Sequence, residues 1–189
     1  ARASQLEDHV LRHAGILDNA QALLLVTVAE ALGVARLLQA RVPGLHRVMT
    51  ARDLAQDAGE PVPATLRGDD IAFIQYTSGS TRFPRGVVIK HRTAMANLHG
   101  IIAHGLKMTA EGRMRSWLPL YHDMGLVGFV LVPMAAQVTI EYLDTREFAM
   151  RPRQWLALMS QTKATISFSP SFGYELCARR LREGEAARY

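Results

Sequence analysis

The stretch "IAFIQYTSGSTRFPRGVVIKH", which runs from Ile71 to His91, decides the fold class of this chain. Its two ends are apolar and rich in β-branched residues, which predicts strands at 71–77 and 86–91. Between them, Tyr76–Gly86 holds four serine and threonine side chains, two glycines and two arginines. A polar turn directly after a buried strand predicts a ligand-binding loop, because α/β sheets bind ligands beyond the carboxyl ends of their strands.

The side chains of this turn suit phosphate groups. Gly79 lets backbone N–H groups approach a ligand closely, and Arg85 adds a fixed cation that matches phosphate oxygens. Hydroxyl donors stand at Thr77, Ser78, Ser80 and Thr81. Together these groups predict a nest for a polyphosphate, but the same residue types are also common in an ordinary polar β-hairpin turn. The pattern is not a P-loop, since no Lys-Ser/Thr pair follows Gly86.

Composition limits the classes of protein and of partner. With 189 residues, of which 49% are hydrophobic, the chain can bury a core as one domain or two small ones. The net charge of +5 is spread along the chain, which suits an anionic small ligand or a solvated surface at least as well as nucleic acid. The single cysteine, Cys177, excludes a disulfide framework and favours a reducing cytoplasm. No stretch has the pattern of a signal peptide or the ~20 apolar residues of a membrane span.

Helix and strand patterns alternate along the whole chain. Helical spacing predicts helices at 4–19, 29–41, 51–56, 92–108, 151–162 and 171–183, and another that begins at 124. Apolar runs predict strands at 22–27, 46–49, 71–77, 86–91, 113–119, 136–142 and 164–170. This alternation predicts an α/β fold with a mostly parallel sheet flanked by helices. The loop at 61–70 is the expected internal boundary, between α/β portions at 1–60 and 71–189 of one incomplete domain.

Three motifs give the chain a family resemblance. "YTSGSTRFPRGVVIKH" resembles the phosphate-loop signature of the adenylate-forming superfamily, whose usual form is Y-T-S-G-[ST]-T-G-x-P-K-G-V. "WLPLYHDMGLVG", from Trp117 to Gly128, resembles the L-P-x-[YF]-H-D-M-G-L-[IV]-G motif of the fatty-acyl-AMP ligase branch. "SPSFGYELC", from Ser169 to Cys177, resembles that branch's A-P-N-F-A-Y-[ED]-L-C. Departures from the usual forms include Arg82 in place of glycine, Arg85 in place of lysine, and Ser171 in place of asparagine.

The resemblance implies an enzyme that converts a fatty acid and ATP to acyl-AMP and pyrophosphate. It implies ATP and Mg²⁺ as cofactors, and an acyl carrier protein or CoA as the acyl acceptor. Phosphate contacts are then expected from Thr77, Ser78, Gly79, Ser80, Thr81, Arg85 and Gly86, with Thr81 also approaching the Mg²⁺ ion. Catalytic roles are expected for His122, Arg85 and Thr81. The acyl site is expected to contain His122, Met124, Gly125, Leu126, Phe172 and Gly173.

Several of these residues also have an ordinary structural explanation. His122 and Asp123 could together cap a helix, and Met124–Val132 has the composition of plain core. Arg82 is compatible with a solvated loop charge. Cys177 is expected to be packed in the core rather than catalytic, because no activating base is evident near it in the sequence.

Three functions therefore stay open: a fatty-acyl-AMP ligase, an acyl-CoA synthetase, and a non-catalytic domain kept for binding. The superfamily's adenine-binding, ribose-binding and catalytic-lysine motifs do not occur in the chain. We therefore interpret it as a central portion of a large N-terminal domain, and call the longer protein the parent. We expect the chain alone to be inactive and to self-associate through exposed sheet edges and apolar faces.

Overall fold

A computed structural model describes residues 3–56, 59–60, 62–77, 84–182 and 184–189. The strands are β1 (Leu24–Thr27), β2 (Arg47–Thr50), β3 (Ile71–Tyr76), β4 (Gly86–Lys90), β5 (Arg113–Ser116) and β6 (Thr139–Tyr142). The α-helices are α1 (Ala3–Asn19), α2 (Leu32–Arg41), α3 (Ala51–Gln56), α4 (His91–His99), α5 (Asp123–Leu126), α6 (Val132–Ala136), α7 (Thr145–Met150), α8 (Arg153–Gln161) and α9 (Ser171–Arg180). Short 3₁₀-helices cover Ala29–Ala31 and Glu185–Arg188, and π-helices cover Gly100–Gly105 and Val127–Leu131. None of the described helices is long and apolar enough to cross a membrane.

The strands pair in three two-stranded sheets. β1 pairs with β2 and β5 pairs with β6, both in parallel, so the predicted α/β fold with mostly parallel pairing is confirmed. β3 and β4 are antiparallel, with Tyr76 opposite Gly86. The reason is the short connection, because a parallel pair needs a crossover of a dozen or more residues.

Most predicted elements are present, but one predicted strand is wrong. Segment 164–170 does not form a strand and makes one isolated parallel bridge, between Ile166 and Met114 of β5. On either side of Ile166, side-chain hydroxyls contact the β5 backbone: Thr165 Oγ1 accepts from Arg113 N, and Ser167 Oγ donates to Arg115 O. These hydroxyls take positions that backbone groups would occupy in a longer ladder.

Helix α7 has no counterpart among the predicted elements. Asp144 precedes it, and its carboxylate accepts hydrogen bonds from the backbone N–H groups of Arg146 and Glu147. This is the usual N-cap arrangement, so the sequence did contain a signal for the helix. Thr50 is the N-cap of α3, because its Oγ1 accepts from Asp53 N at 3.1 Å.

Two compact units divide the chain, Ala1–Ala94 and Met95–Tyr189. The sequence-based boundary at 61–70 stays a prediction. In the first unit the buried apolar side chains come from α1, α2, β2 and the loop before β2: Val10, Ala35, Leu38, Val42, Leu45 and Met49. No side chain of β3 or β4 is fully buried.

The second unit has a core built around aromatic rings. Trp117 stacks on Phe148 with ring centroids 3.7 Å apart, and Trp155 meets both rings edge-on. Phe129 stacks on Phe168 at 4.1 Å. Such pairs stabilise a core by about 0.5–1.5 kcal/mol each beyond the apolar area that they bury.

A buried arginine joins the elements of this core. The guanidinium of Arg115 on β5 pairs with Glu141 on β6 at 2.9 Å, and its Nε donates to Thr162 Oγ1 at 2.7 Å. A third donor reaches the Met114 carbonyl. Because its donors are partnered on several sides, Arg115 can stay charged in the core and fix β5 to β6 and to the end of α8.

Candidate active site

The hydroxyl-rich turn is described only at its two ends. Ser78, Gly79, Ser80, Thr81 and Arg82 lie outside the described residues, so their predicted roles, including the Mg²⁺ contact of Thr81, remain predictions. Thr77 and Arg85 are both exposed, and Thr77 N donates to Arg85 O at 3.0 Å. This bond extends the β3–β4 ladder by one step and places an exposed arginine at the base of the turn.

Gly86 has a packing reason to be glycine. A Cβ at this position would lie 2.9 Å from Ile74 Cγ2 and 3.0 Å from the Tyr76 ring. The Tyr76 hydroxyl donates to Asn19 Oδ1 at 2.6 Å, which holds the ring in place at the end of α1. The glycine therefore lets the Tyr76 ring lie across the hairpin. This packing role is separate from the phosphate contact predicted for Gly86.

His122 is the residue directly before helix α5, and Asp123 holds its ring in place. Its Nδ1 lies 2.6 Å from Asp123 Oδ1, and the same oxygen accepts from Met124 N at 2.7 Å. A contact this short between a ring nitrogen and a carboxylate oxygen requires a proton between them, so Nδ1 carries hydrogen. The 3.3 Å approach of Met124 N to Nδ1 is therefore secondary to its bond with Asp123.

The capping explanation for His122 and Asp123 is thus partly correct, but it leaves one ring nitrogen available. With Nδ1 directed at Asp123, Nε2 is the ring atom left to contact a ligand. The His122 side chain is 61% exposed, so a ligand can reach it. A neutral ring would accept a hydrogen bond at Nε2, and a protonated ring would donate one.

Gly125 packs this motif closely against the preceding loop. It is buried, and a Cβ there would overlap the carbonyl oxygen of Pro119. Its neighbours Met124 and Leu126 are exposed and half-buried, respectively. Gly125 therefore shapes the site by allowing close approach, while Met124 and Leu126 supply apolar surface.

Trp117 contacts the second predicted part of the acyl site. Phe172 is half-exposed, and its ring meets Trp117 edge-on at 5.7 Å. Gly173 is buried, and a Cβ there would lie 2.8 Å from Trp117 Cζ2 and would overlap the Ser169 hydroxyl. The absence of a side chain at residue 173 therefore lets helix α9 begin close against the indole. Sequence reasoning gave Trp117 no role, although it opens the second motif.

Cys177 is buried in the core, as predicted. Its thiol contacts the Pro152 carbonyl at 3.4 Å, and burial raises the pKa of the thiol. A raised pKa disfavours the reactive thiolate, so a packing role is confirmed. Among the described residues, no group of three or more His, Cys, Asp or Glu side chains could hold a metal ion.

Comparisons with known proteins identify the family. Residues 8–189 match the family described as "AMP-binding enzyme". The chain belongs to this family. Its structure superposes on a solved structure from studies of fatty acyl-adenylate ligases from E. coli and L. pneumophila, with a TM-score of 0.87 and 44% identity. That alignment covers 98% of this chain and 33% of the solved chain, so the α/β fold of this family member is that of part of an adenylate-forming enzyme.

Two curated relatives carry different names. A protein from Caulobacter vibrioides named "Putative acyl-CoA synthetase" is 48% identical over 77% of this chain. The medium-chain-fatty-acid–[acyl-carrier-protein] ligase TtuA from Teredinibacter turnerae is 40% identical over 67% of this chain. The chain spans 25% and 20% of the lengths of these two relatives.

Proposed function

We propose that the parent activates a fatty acid with ATP, forming acyl-AMP and pyrophosphate, and then transfers the acyl group to the thiol of an acyl carrier protein. The observation that carries this proposal is the exposed imidazole of His122, fixed by Asp123 and followed by the apolar side chains of Met124 and Leu126. This arrangement suits a ligand with a polar head and an aliphatic chain. The names of the relatives support the same chemistry.

Each group of residues has a role in this chemistry. ATP, when bound with Mg²⁺, supplies the α-phosphorus that the acid attacks and pyrophosphate as the leaving group. The exposed Arg85 and the hydroxyls of the turn balance the negative charge of the phosphates, and donors fixed in advance stabilise the charge that develops in the transition state. His122 Nε2 orients the carboxylate of the acid, and Phe172 lies beside the chain.

The donor chemistry of the described residues fits the cofactors. Arg85 is exposed at the base of the turn, and Thr77 beside it adds a hydroxyl. Both are suitable partners for phosphate oxygens. The sequence from Thr77 to Gly86 contains no aspartate or glutamate that would repel a phosphate. We also propose that the parent works in the cytoplasm, which the presence of only one cysteine favours.

The acceptor is the finer part of the proposal. The two curated relatives are named for different acceptors, CoA and an acyl carrier protein, so both must be tested. We prefer the carrier protein, because the resemblance of "TSGSTR", "LYHDMG" and "YELC" is to the ligase branch. A second candidate is an acyl-CoA synthetase, which the 48% identity to the Caulobacter protein favours.

One assay separates these functions. The parent is incubated with ATP, Mg²⁺ and a labelled long-chain fatty acid, with and without CoA, and acyl-AMP is separated from acyl-CoA. Acyl-AMP that persists in the presence of CoA supports the carrier-protein ligase. Conversion to acyl-CoA supports the synthetase, and no product from folded parent with any acid tested would support a non-catalytic domain. The same assay on the 189-residue chain should give no product.

A further inference from the structure

The helix that follows His122 contains a π-helix at Val127–Leu131, between α5 and α6. Val132 N bonds to Val127 O, five residues back, where a regular α-helix would bond four residues back. The π-turn therefore contains one extra residue. Because each residue turns an α-helix by about 100°, the extra residue sets the direction of the side chains before it relative to α6. Met124 and Leu126 lie on that preceding segment.

The far side of the π-turn is fixed in the core. Phe129 and Val132 are fully buried, and Phe129 stacks on Phe168. Gly128 makes room for this contact, because a Cβ there would lie 2.5 Å from Phe168 Cζ. If the π-turn closed to a regular α-turn, the buried residues could hardly move, so the segment before the turn would have to rotate.

Tyr142 contacts the π-turn from the neighbouring sheet. It is the last residue of β6, paired with Ser116 of β5, so its backbone is fixed. Its hydroxyl donates a hydrogen bond to the Phe129 carbonyl, inside the π-turn. Burial raises the pKa of this hydroxyl, so it stays protonated and able to donate throughout the neutral range.

We propose that Tyr142 is a positioning residue that holds the π-turn open and thereby directs Met124 and Leu126 into the acyl site. This inference rests on the proposed function. It assigns a role in acid recognition to a residue that lies outside all three motifs. π-turns inside helices are rare and occur frequently at functional sites, which agrees with such a role.

The test is the variant Tyr142→Phe in the parent, which removes one oxygen atom. We expect the KM for the fatty acid to rise about tenfold, as for the loss of one positioning hydrogen bond, with the KM for ATP unchanged. A purely structural role would lower the amount of active enzyme and leave both KM values as they were. Faster hydrogen exchange at the amides of 127–132 would report loosening of the π-turn independently of activity.

Thr165→Val is the matched control. Thr165 Oγ1 accepts from Arg113 N at the opposite, amino-terminal end of β5, so this variant also loses a side-chain hydrogen bond within the same unit. We expect it to leave the acid KM and the exchange of 127–132 unchanged. Phe168→Leu perturbs the π-turn from its other side and should raise the acid KM as well, which provides a second variant if Tyr142→Phe does not fold.

The outcomes separate the two proposals. If Tyr142→Phe speeds exchange in the π-turn and raises only the acid KM, the inference is supported. Unchanged exchange, or an unchanged acid KM in a folded variant, overturns it. If the wild-type parent forms no acyl-AMP, the proposed function is wrong, and so is the role of Tyr142 in acid recognition. The hydrogen-exchange data would still show whether Tyr142 holds the π-turn.

Discussion

The β3–β4 hairpin, which carries proposed phosphate-binding residues, is much less buried than the β5–β6 pair, which belongs to the unit with the proposed acyl site. No side chain of β3 or β4 is fully buried, whereas three of the four residues of β5 are. The hairpin presents Thr77 and Arg85 to solvent, whereas the unit with the β5–β6 pair has an aromatic core on which Phe172 packs. The proposed phosphate site would thus depend on local charge and backbone, and the proposed acyl site on packing.

This difference predicts that changes in the hairpin turn affect activity without affecting stability. In the parent, Arg85→Ala should lower the rate of acyl-AMP formation about 10²–10³-fold, because it removes a cation that stabilises phosphoryl charge in the transition state. The melting temperature should stay within a degree or two, since the side chain is exposed.

Arg92→Ala is the control for this first prediction. Arg92 is also an exposed arginine of the first unit, but it pairs with Asp69 at 2.9 Å and is not part of the turn. Its rate of acyl-AMP formation should match the wild type. A fall of less than tenfold for Arg85→Ala, with Arg92→Ala normal, would contradict the role given to Arg85.

The aromatic core should respond in the opposite way. Trp155 is almost fully buried, stacks edge-on with Trp117 and Phe148, and donates its Nε1–H to Ser167 Oγ at 2.9 Å. Trp155→Ala should therefore lower the free energy of unfolding of the second unit by about 3–5 kcal/mol. The readout is the rate at which a thiol reagent modifies Cys177, which is buried in the same core.

Leu24→Ala is the comparison in the first unit. Leu24 lies on β1 and is 41% exposed, so this change should cost well under 1 kcal/mol, measured by urea unfolding of the same chain. Equal costs for Trp155→Ala and Leu24→Ala would mean that the two units are packed alike, contrary to their burial.

Alanine substitutions at two glycines compare packing in the two units. Gly173→Ala should destabilise the second unit by about 1–3 kcal/mol, because the new Cβ meets the Trp117 ring. Gly15→Ala should stabilise the first unit by about 0.5–1 kcal/mol, because Gly15 lies inside α1 with nothing within 4 Å of its added Cβ. Thermal unfolding of both variants checks the signs, and stabilisation by Gly173→Ala would contradict the packing described for α9.

The smallest expected effect concerns pH and the first unit. Asp53 accepts hydrogen bonds from Thr50 N and Thr50 Oγ1, which lower the pKa of its carboxyl group in the folded state. The stabilisation is therefore complete above the unfolded pKa of about 3.9 and is lost as pH falls through the lower folded value. With Asp53→Asn, the helicity of α3 should depend less on pH below about pH 4 than in the wild type, as measured by circular dichroism. An identical acid transition in both proteins would show that Asp53 does not contribute.

Much of the fold could be predicted from local patterns. Helical spacing found α1, α2, α8 and α9, and apolar runs found all six described strands. The exceptions depend on contacts that a pattern does not contain. Segment 164–170 has strand composition, but its hydroxyls take over contacts with β5, so only Ile166 bridges. The π-turn at Val127–Leu131 likewise depends on Phe168 and Tyr142, which are distant in the sequence.

The candidate site divides in the same way. Motif spacing identified His122 and Gly125, because their residue types recur at fixed positions in the resembled family, and Gly173 by its place after Phe172 in the third motif. The reasons for the two glycines came from the structure, since the atoms that exclude a side chain belong to Pro119 in one case and to Trp117 and Ser169 in the other. Which nitrogen of His122 can contact a ligand also required the distance to Asp123.

The α/β class, the family and the residue types of the candidate site could be read from the sequence alone, because these follow from local periodicity and from short motifs. How those residues are held depends on the folded structure. Packing brings backbone and side chains close to Gly125 and Gly173, where no Cβ is present. It also brings the Tyr142 hydroxyl to the π-turn and leaves His122 Nε2 available to a ligand. Close packing makes such contacts specific to ångström distances, which no one-dimensional pattern records.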